Sequence, residues 1–426
     1  MIEVWHADIL HSLSPQKMLY LKDGYLWVRS GKIEQVSKDP PLEKHRLYDF
    51  RGKLLIPGLI DTHTHLPQFA LRGLGKHALL PWLREYILPE ECKFADASYA
   101  EKIAYAFFES IIAQGTTTVC AFLTSHRKAA EIAFQVAEKL GLRAFLGLTL
   151  MDRRGPKALL RSPKEALKDC LYLIDKFHAR EKLQFVVSPR FALSCSPQML
   201  SMAGKLSQEN NLLLQTHLSE NFHEIDETRK VFPEAKSYTE VYYRYGCLHD
   251  KTLLAHCLHL SEQEIKLIQK QKASCVHCPA SNGFLMSGIM PLQKLRRSKL
   301  NISLGTDVAA GYHLGLLPEM RLAIESSKLW AYWLNQEASA YPPLKPAEAL
   351  YLATLGGAKA LHLHDKLGNF LPGKWADFII LNDNTLAAPK EELSCEERLS
   401  RLLYCHPGTV ELAAVEGTVI YERTGK

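Results

Sequence analysis

Two histidines one residue apart, His63 and His65, close an apolar run in the stretch PGLIDTHTHLPQ. In an extended chain, side chains at i and i+2 share a face, so both imidazoles would aim at one point as the strand ends. Imidazole is a favoured zinc ligand, and two on a rigid strand end supply half of a tetrahedral site. Other ionisable residues follow apolar runs in the same way. LLLQTHLSEN carries His217 with Glu220 three residues on, TLLAHC carries His256, and NISLGTDVAAG carries Asp307. Any one of these reads equally well as an interior histidine or a helix cap. Together, at the ends of four separate apolar runs, they read as a metal site. Three histidines plus Asp307 would hold one Zn²⁺ and leave a position for water, as catalytic sites require. The metal would bring the pKa of that water down to about 7. Glu220, in the loop past His217, is suited to shuttle protons. A bridged pair of metals usually needs a modified lysine at the end of a middle strand; LQFVVSPRF offers Arg190 and no lysine, so one metal is expected.

Such residues converge only if the strands that carry them are neighbours. Leu54–Ile60 reads as a short buried strand, and β-rich apolar runs recur at TTTVCAF, RAFLGLTL, LQFVVSPRF, LLLQTHL, TLLAHC, KASCVHCP and NISLGTD. Helix-like stretches follow, among them RKAAEIAFQVAEKLG, SPQMLSMAGKLSQENN and SEQEIKLIQKQK. Eight β units alternating with helices are what a closed parallel (β/α)8 TIM barrel needs, and that fold puts reactive residues at the C-terminal ends of its strands. A doubly wound open sheet is the alternative. Strand-like runs at both chain ends (EVWHADILH and GYLWVRSGKIEQV; WADFIILN and TVELAAVEGTVIYER) are expected to pool in a small β-sandwich. The expected division is therefore 1–56 sandwich, 57–365 barrel and 366–426 sandwich.

Composition narrows the class further. At 426 residues, 47% apolar and 23% charged, the chain has room for a large barrel and a smaller domain. Its net charge of +6 is spread along the sequence with no basic block, which argues against a nucleic-acid partner. Nothing resembles a transmembrane span or signal peptide. The 10 cysteines are scattered through apolar segments, as expected of reduced thiols in a cytoplasmic protein. Cys275-Val-His-Cys278 lacks the second pair of a zinc finger and reads as a buried strand end. His223-Glu224 fails the zincin pattern because Glu227 stands where the second histidine belongs. The H-x-E and P-C-x-x-C signature of small zinc deaminases, the dinucleotide fingerprint and the P-loop are all absent. Tyr242-Tyr243 and the Trp330–Trp333 pair read as core or subunit contact, and Trp82 as either core or pocket lining.

From about residue 50 to 381 the chain resembles the amidohydrolase superfamily and, within it, the barrel-type guanine deaminases. The resemblance rests on PGLIDTHTHLPQ, LLPWLREYILP, SPRFALSCS, QTHLSEN, AHC, HCPASN, LGTDVAAGY and LATLGGAKAL. It implies that His63, His65, His217 and Asp307 bind zinc, one ion per subunit. It further implies that Gln68, Arg190 and Phe191 hold the purine while Glu220 bonds its ring nitrogens. The implied reaction is hydrolytic deamination of guanine to xanthine and ammonia, in purine catabolism. Asp307 would take the water's proton, Glu220 would protonate N3, and His256 would steady the developing charge. Cys257, Ala280, Ala309 and His313 depart from the common pattern and are expected near the pocket mouth. The alternatives are another aminohydrolase on the same scaffold, acting on thio-adenosine, triazine or cytosine compounds, and a non-enzymatic barrel protein. A homodimer is implied, with the apolar-aromatic helix around Trp330–Leu334 as candidate contact surface.

Overall fold

The computed structural model describes residues 1–75, 78–335, 342–383, 393–405 and 409–423. Its first four strands are β1 (Ile2–Ser14), β2 (Lys17–Arg29), β3 (Lys32–Ser37) and β4 (His45–Pro57). Strand β5 (Leu59–His65) begins the next layer, so the apolar run expected as one strand over Leu54–Ile60 is divided at Pro57-Gly58 between two sheets. Proline has no N–H to continue a ladder, and Gly58 has no side chain where one cannot fit. A Cβ at Gly58 would lie 2.0 Å from Thr117 Oγ1.

Six strands then follow β5 through the first part of the barrel: β6 (Thr116–Phe122), β7 (Arg143–Gly147), the two-residue β8 (Thr149–Leu150), β9 (Leu183–Phe185), the two-residue β10 (Ser188–Pro189) and β11 (Leu214–Leu218). The remainder are β12 (Thr252–His256), β13 (Ser274–His277), β14 (Asn301–Leu304), β15 (Phe378–Asn382), β16 (Thr409–Val415) and β17 (Thr418–Glu422). Strands β5-β6-β7-β9 pair in parallel, as do β11-β12-β13-β14. The halves meet on one side where Val187 N–H donates to Leu213 O and Gln215 N–H donates to Val187 O, both at 2.9 Å. On the other side Thr62 Oγ1 donates to Leu304 O at 2.8 Å and Asp307 N–H donates to His63 O at 2.9 Å. Gly305 permits that approach, since a Cβ there would lie 2.8 Å from the His63 backbone oxygen. The eight expected β units thus form a ring, with helices between successive strands.

The three quoted helical stretches are helices at Arg127–Lys139, Pro197–Glu209 and Glu262–Gln271. Each buries one face against the strands, and Ser196 and Ser261 cap the latter two by accepting from backbone N–H groups of the first turn. Cys120, Phe145, Val186, Leu213, Leu253 and Val276 form a separate buried layer with Leu361 and Leu367, the kind of side-chain filling that makes a barrel a core and not a pore.

The chain ends pool as expected. β17-β16-β15-β4-β1-β2-β3 is one continuous sheet that doubles back, so Ile33 on β3 and Leu412 on β16 share a core with Trp5, Leu55 and Phe378. Arg143 on β7 joins barrel to sheet: its guanidinium donates to Asp377 at 3.0 and 3.3 Å and to Glu416 at 2.9 Å, and lies over the Trp375 ring. Among the described residues no helix is long and apolar enough to cross a membrane, and all ten cysteines are free.

Candidate metal centre and its pocket

The residues singled out from the sequence meet at the C-terminal ends of the barrel strands. His63 and His65 finish β5, His217 lies in β11, His256 ends β12, and Asp307 follows β14 by three residues. His63 Nε2 and His65 Nε2 each stand 3.2 Å from Asp307 Oδ1, and His65 Nε2 faces His217 Nε2 at 3.1 Å. All four ligand atoms lie within 4.8 Å of one another. A tetrahedral ion with bonds of ~2.1 Å separates its ligands by roughly 3.4 Å, so these spacings fit a single metal. His63 Nε2 is buried and turned toward Asp307 Oδ1, itself a candidate ligand. His217 Nδ1 lies 2.6 Å from Arg190 O; as the donor there it leaves Nε2 as the free lone pair.

Electrostatics agree with that donor set. Burial lowers the pKa of His65 to about 4 and holds that of His217 well below the ordinary value, so both imidazoles are neutral, as ligands must be. Burial alone would raise Asp307, but hydrogen bonds from His63 and His65 outweigh it and hold the carboxyl well below the usual range. Phe122, at the end of β6, stacks on His65 with centroids 4.8 Å apart and fixes its ring plane. Ser219, His256, Cys257 and Asp307 all have positive φ. Each such non-glycine residue costs on the order of 1 kcal/mol, and four at one rim mark a site where geometry outranks backbone comfort.

Beside the cluster opens a cavity lined by His65, His217, Glu220 and Asp307 on the metal side and by Gln68, Arg190 and Phe191 on another. Trp82, Leu79, Leu83 and Leu285 supply apolar wall. Trp82 is therefore pocket lining, with its Nε1 donating to Leu74 O at 3.0 Å. Glu220 is raised well above the ordinary carboxyl range by burial first, then by the charges of Asp307 and Glu224. That shift favours the protonated form of a carboxyl that lines the cavity. His256 approaches Asn282 Oδ1 through Nδ1 at 3.0 Å, leaving Nε2 to face Glu220 Oε2 at 3.4 Å and Asp307 Oδ2 at 3.8 Å.

Several participants carried no readable signal in the sequence. Glu91 accepts from Arg190 and from Gln68, yet in LPEEC it reads as an ordinary acidic first turn. Glu224 accepts from the Glu220 N–H at 2.9 Å and from the Tyr238 hydroxyl at 2.7 Å, and Ser287 donates to Glu220 at 3.3 Å. These contacts follow from chain crossings, not spacing. Glu224 alone stood in a visible pattern, the three-residue capping relation with Asn221.

Three of the four departures from the family pattern sit deeper than expected, and His313 is half-buried. Cys257 and Ala280 are buried and outside the cavity lining; the Cys257 thiol turns to Leu254 O at 3.4 Å. Ala309 reaches the site only through its N–H, which donates to Gln68 Oε1 at 3.2 Å. His313 packs beside Tyr312. Cys275 and Cys278 are buried, and Tyr242 is a core residue whose hydroxyl donates to His217 O at 2.7 Å.

Comparison with known proteins places these features in context. The amidohydrolase family model matches residues 54–410. A guanine deaminase of Escherichia coli (strain K12) is 34% identical over 417 residues, 95% of this chain and 92% of that protein. One of Dictyostelium discoideum is 35% identical over 403 residues, covering 89% of each. The crystal structure of guanine deaminase from C. acetobutylicum with guanine bound in its active site superposes with a TM-score of 0.93 at 32% identity, over 99% of this chain and 100% of that one.

Proposed function

The chain belongs to the amidohydrolase family, and from that footing we propose that it hydrolyses guanine to xanthine and ammonia with one zinc ion held by His63, His65, His217 and Asp307. The observation that carries the reading is a single cavity. It joins that donor set and Glu220 to the amide of Gln68 and the guanidinium of Arg190. When bound, the ion supplies the Lewis acidity that makes hydroxide available from water near neutral pH.

This chain's own residues account for the rest. Guanine presents a carbonyl at C6 and an N–H at N1, an acceptor and a donor that Arg190 and Gln68 complement. Phe191 and Trp82 bound the flat ring. With that edge held, C2 and its exocyclic amine face the metal side. Water adds to C2 while Asp307, kept as a carboxylate, takes its proton. Glu220 delivers its own proton to N3, and His256 Nε2 steadies the charge that develops beside both carboxylates. Asp307 then passes its proton to the amine, which leaves as ammonia, while the C2 hydroxyl returns its proton to Glu220 as the carbonyl forms at C2. Atoms balance as guanine plus water giving xanthine plus ammonia.

The deciding experiment measures ammonia release from guanine, adenine, cytosine and a thio-adenosine, with and without chelator, alongside metal analysis of the purified protein. Release from guanine that chelator abolishes and zinc restores is expected. Release only from another substrate overturns the assignment. Tyr332 and Trp333, each 70% exposed, support a homodimer formed around Trp330–Leu334, which sedimentation of the wild type and of Trp333→Ser would test. The free cysteines support a cytoplasmic location.

A further inference from the structure

Behind the two recognition side chains lies a carboxylate that does not itself reach the cavity. Glu91 sits in the short helix Leu88–Cys92, with 1% of its surface exposed. Its two oxygens accept from Arg190 Nη1 at 2.9 and 2.8 Å, and Oε1 also accepts from Gln68 Nε2 at 3.3 Å. Its neighbour Glu90 points elsewhere, accepting from Lys93 Nζ at 2.7 Å and from the Tyr99 hydroxyl, so the helix is pinned from both sides. We infer that Glu91 is the positioning residue that fixes the polarity of Gln68 and Arg190, and through them selects purines with a 6-oxo edge. The inference rests on the guanine reading above and deepens it.

The physical argument concerns which end of an amide faces the substrate. A glutamine amide can turn over, exchanging its donor for its acceptor at almost no change of shape. Here Ala309 N–H donates to Oε1 while Glu91 takes Nε2. Turning the amide over would set its carbonyl against a carboxylate and its NH₂ against an N–H, so both partners oppose the exchange. Oε1 therefore keeps one lone pair, and Nε2 one hydrogen, with their positions decided in advance. Arg190 is buried too, and its Nη1 is committed to Glu91, which leaves Nε and Nη2 as donors for an oxygen at C6. A purine with an amine at C6 brings a donor to those donors and a bare N1 to Gln68 Oε1. Both contacts fail, and buried unpaired polar groups are what produce strong discrimination.

The test is Glu91→Gln, which keeps the shape, removes the charge and frees the Gln68 amide to turn. Steady-state kinetics on guanine and inhibition by 2,6-diaminopurine, which shares the C2 amine but carries an amine at C6, give the readout. The guanine KM is expected to rise at least about tenfold with kcat changing less, and preference for guanine over the diamine to fall at least about tenfold, with metal content unchanged. A purely structural role would lower kcat, metal content and stability without changing the preference; a preference within twofold of wild type overturns the inference. Should Glu91→Gln fail to fold, Glu91→Asp retains the charge with a shorter reach, and its preference is expected to fall at least about threefold; an unchanged preference again overturns it. Failure of the guanine reading itself would show separately, as wild-type protein that releases no ammonia from guanine.

Discussion

Glu220 and Asp307 are both buried carboxyls beside the same cavity, yet their environments drive them apart. Asp307 is stabilised as an anion by the imidazoles around it, whereas Glu220 faces burial and two neighbouring carboxylates with only the Ser287 hydroxyl opposing. That separation supports the proposed roles of Asp307 as proton acceptor and Glu220 as proton donor. Replacing Glu220 with Gln preserves shape and removes the transferable proton. Turnover of guanine should fall by about 10²–10⁴ while bound metal stays at the wild-type level, as measured by ammonia release and elemental analysis on one preparation. Normal turnover would end the assigned role. Arg190→Ala acts on a different link. Guanine KM should rise with metal content held, although Glu91 left buried and unpaired adds a stability cost of about 3 kcal/mol or more, visible in thermal unfolding.

Single elements matter through where they stop. β5 delivers His63 and His65 to the rim because it starts at Leu59, one residue past Gly58, which brings the backbone against Thr117 of β6. Gly58→Val would drive a branched side chain into that hydroxyl and separate β5 from β6. We expect a loss of about 3 kcal/mol or more and weaker metal retention, read as a lower melting temperature and a sub-stoichiometric metal content; an unchanged melting temperature would mean the strands tolerate the separation. The same junction explains why the first strand was misplaced from sequence. A continuous apolar run records that both its halves are buried, not that they are buried in different sheets. The helices fared better, because a 3.6-residue period and a capping serine are local signals.

Across the whole molecule, the β sheet built from both chain ends holds the barrel by contacts that no spacing announces, such as Arg143 with Asp377 and Glu416. It also buries His11 of β1 edge-on against Phe370. Burial, with the Lys374 charge adding to it, lowers the His11 pKa from 6.5 to about 4. The folded state thus binds this proton less readily than the unfolded chain. Stability is unaffected above pH 6.5 and is lost as pH falls from there towards 4, by on the order of 3 kcal/mol. Denaturant titrations across that range should show a shallower slope in His11→Gln; an equal slope would assign the acid sensitivity to other groups. By itself the sequence brought forward the candidate metal donors, the candidate proton shuttle, the eight-fold alternation and the gathering of both ends. Each of these is written in residue type and local period, and the fold then has few ways to place them. Only the tertiary structure decided that Glu91 stands behind Gln68 and Arg190, that Glu224 holds the Glu220 backbone, and that Cys257 and Ala280 lie away from the cavity. Those relations join segments far apart in the chain, and a buried partner is defined by what surrounds it and not by its place in the sequence.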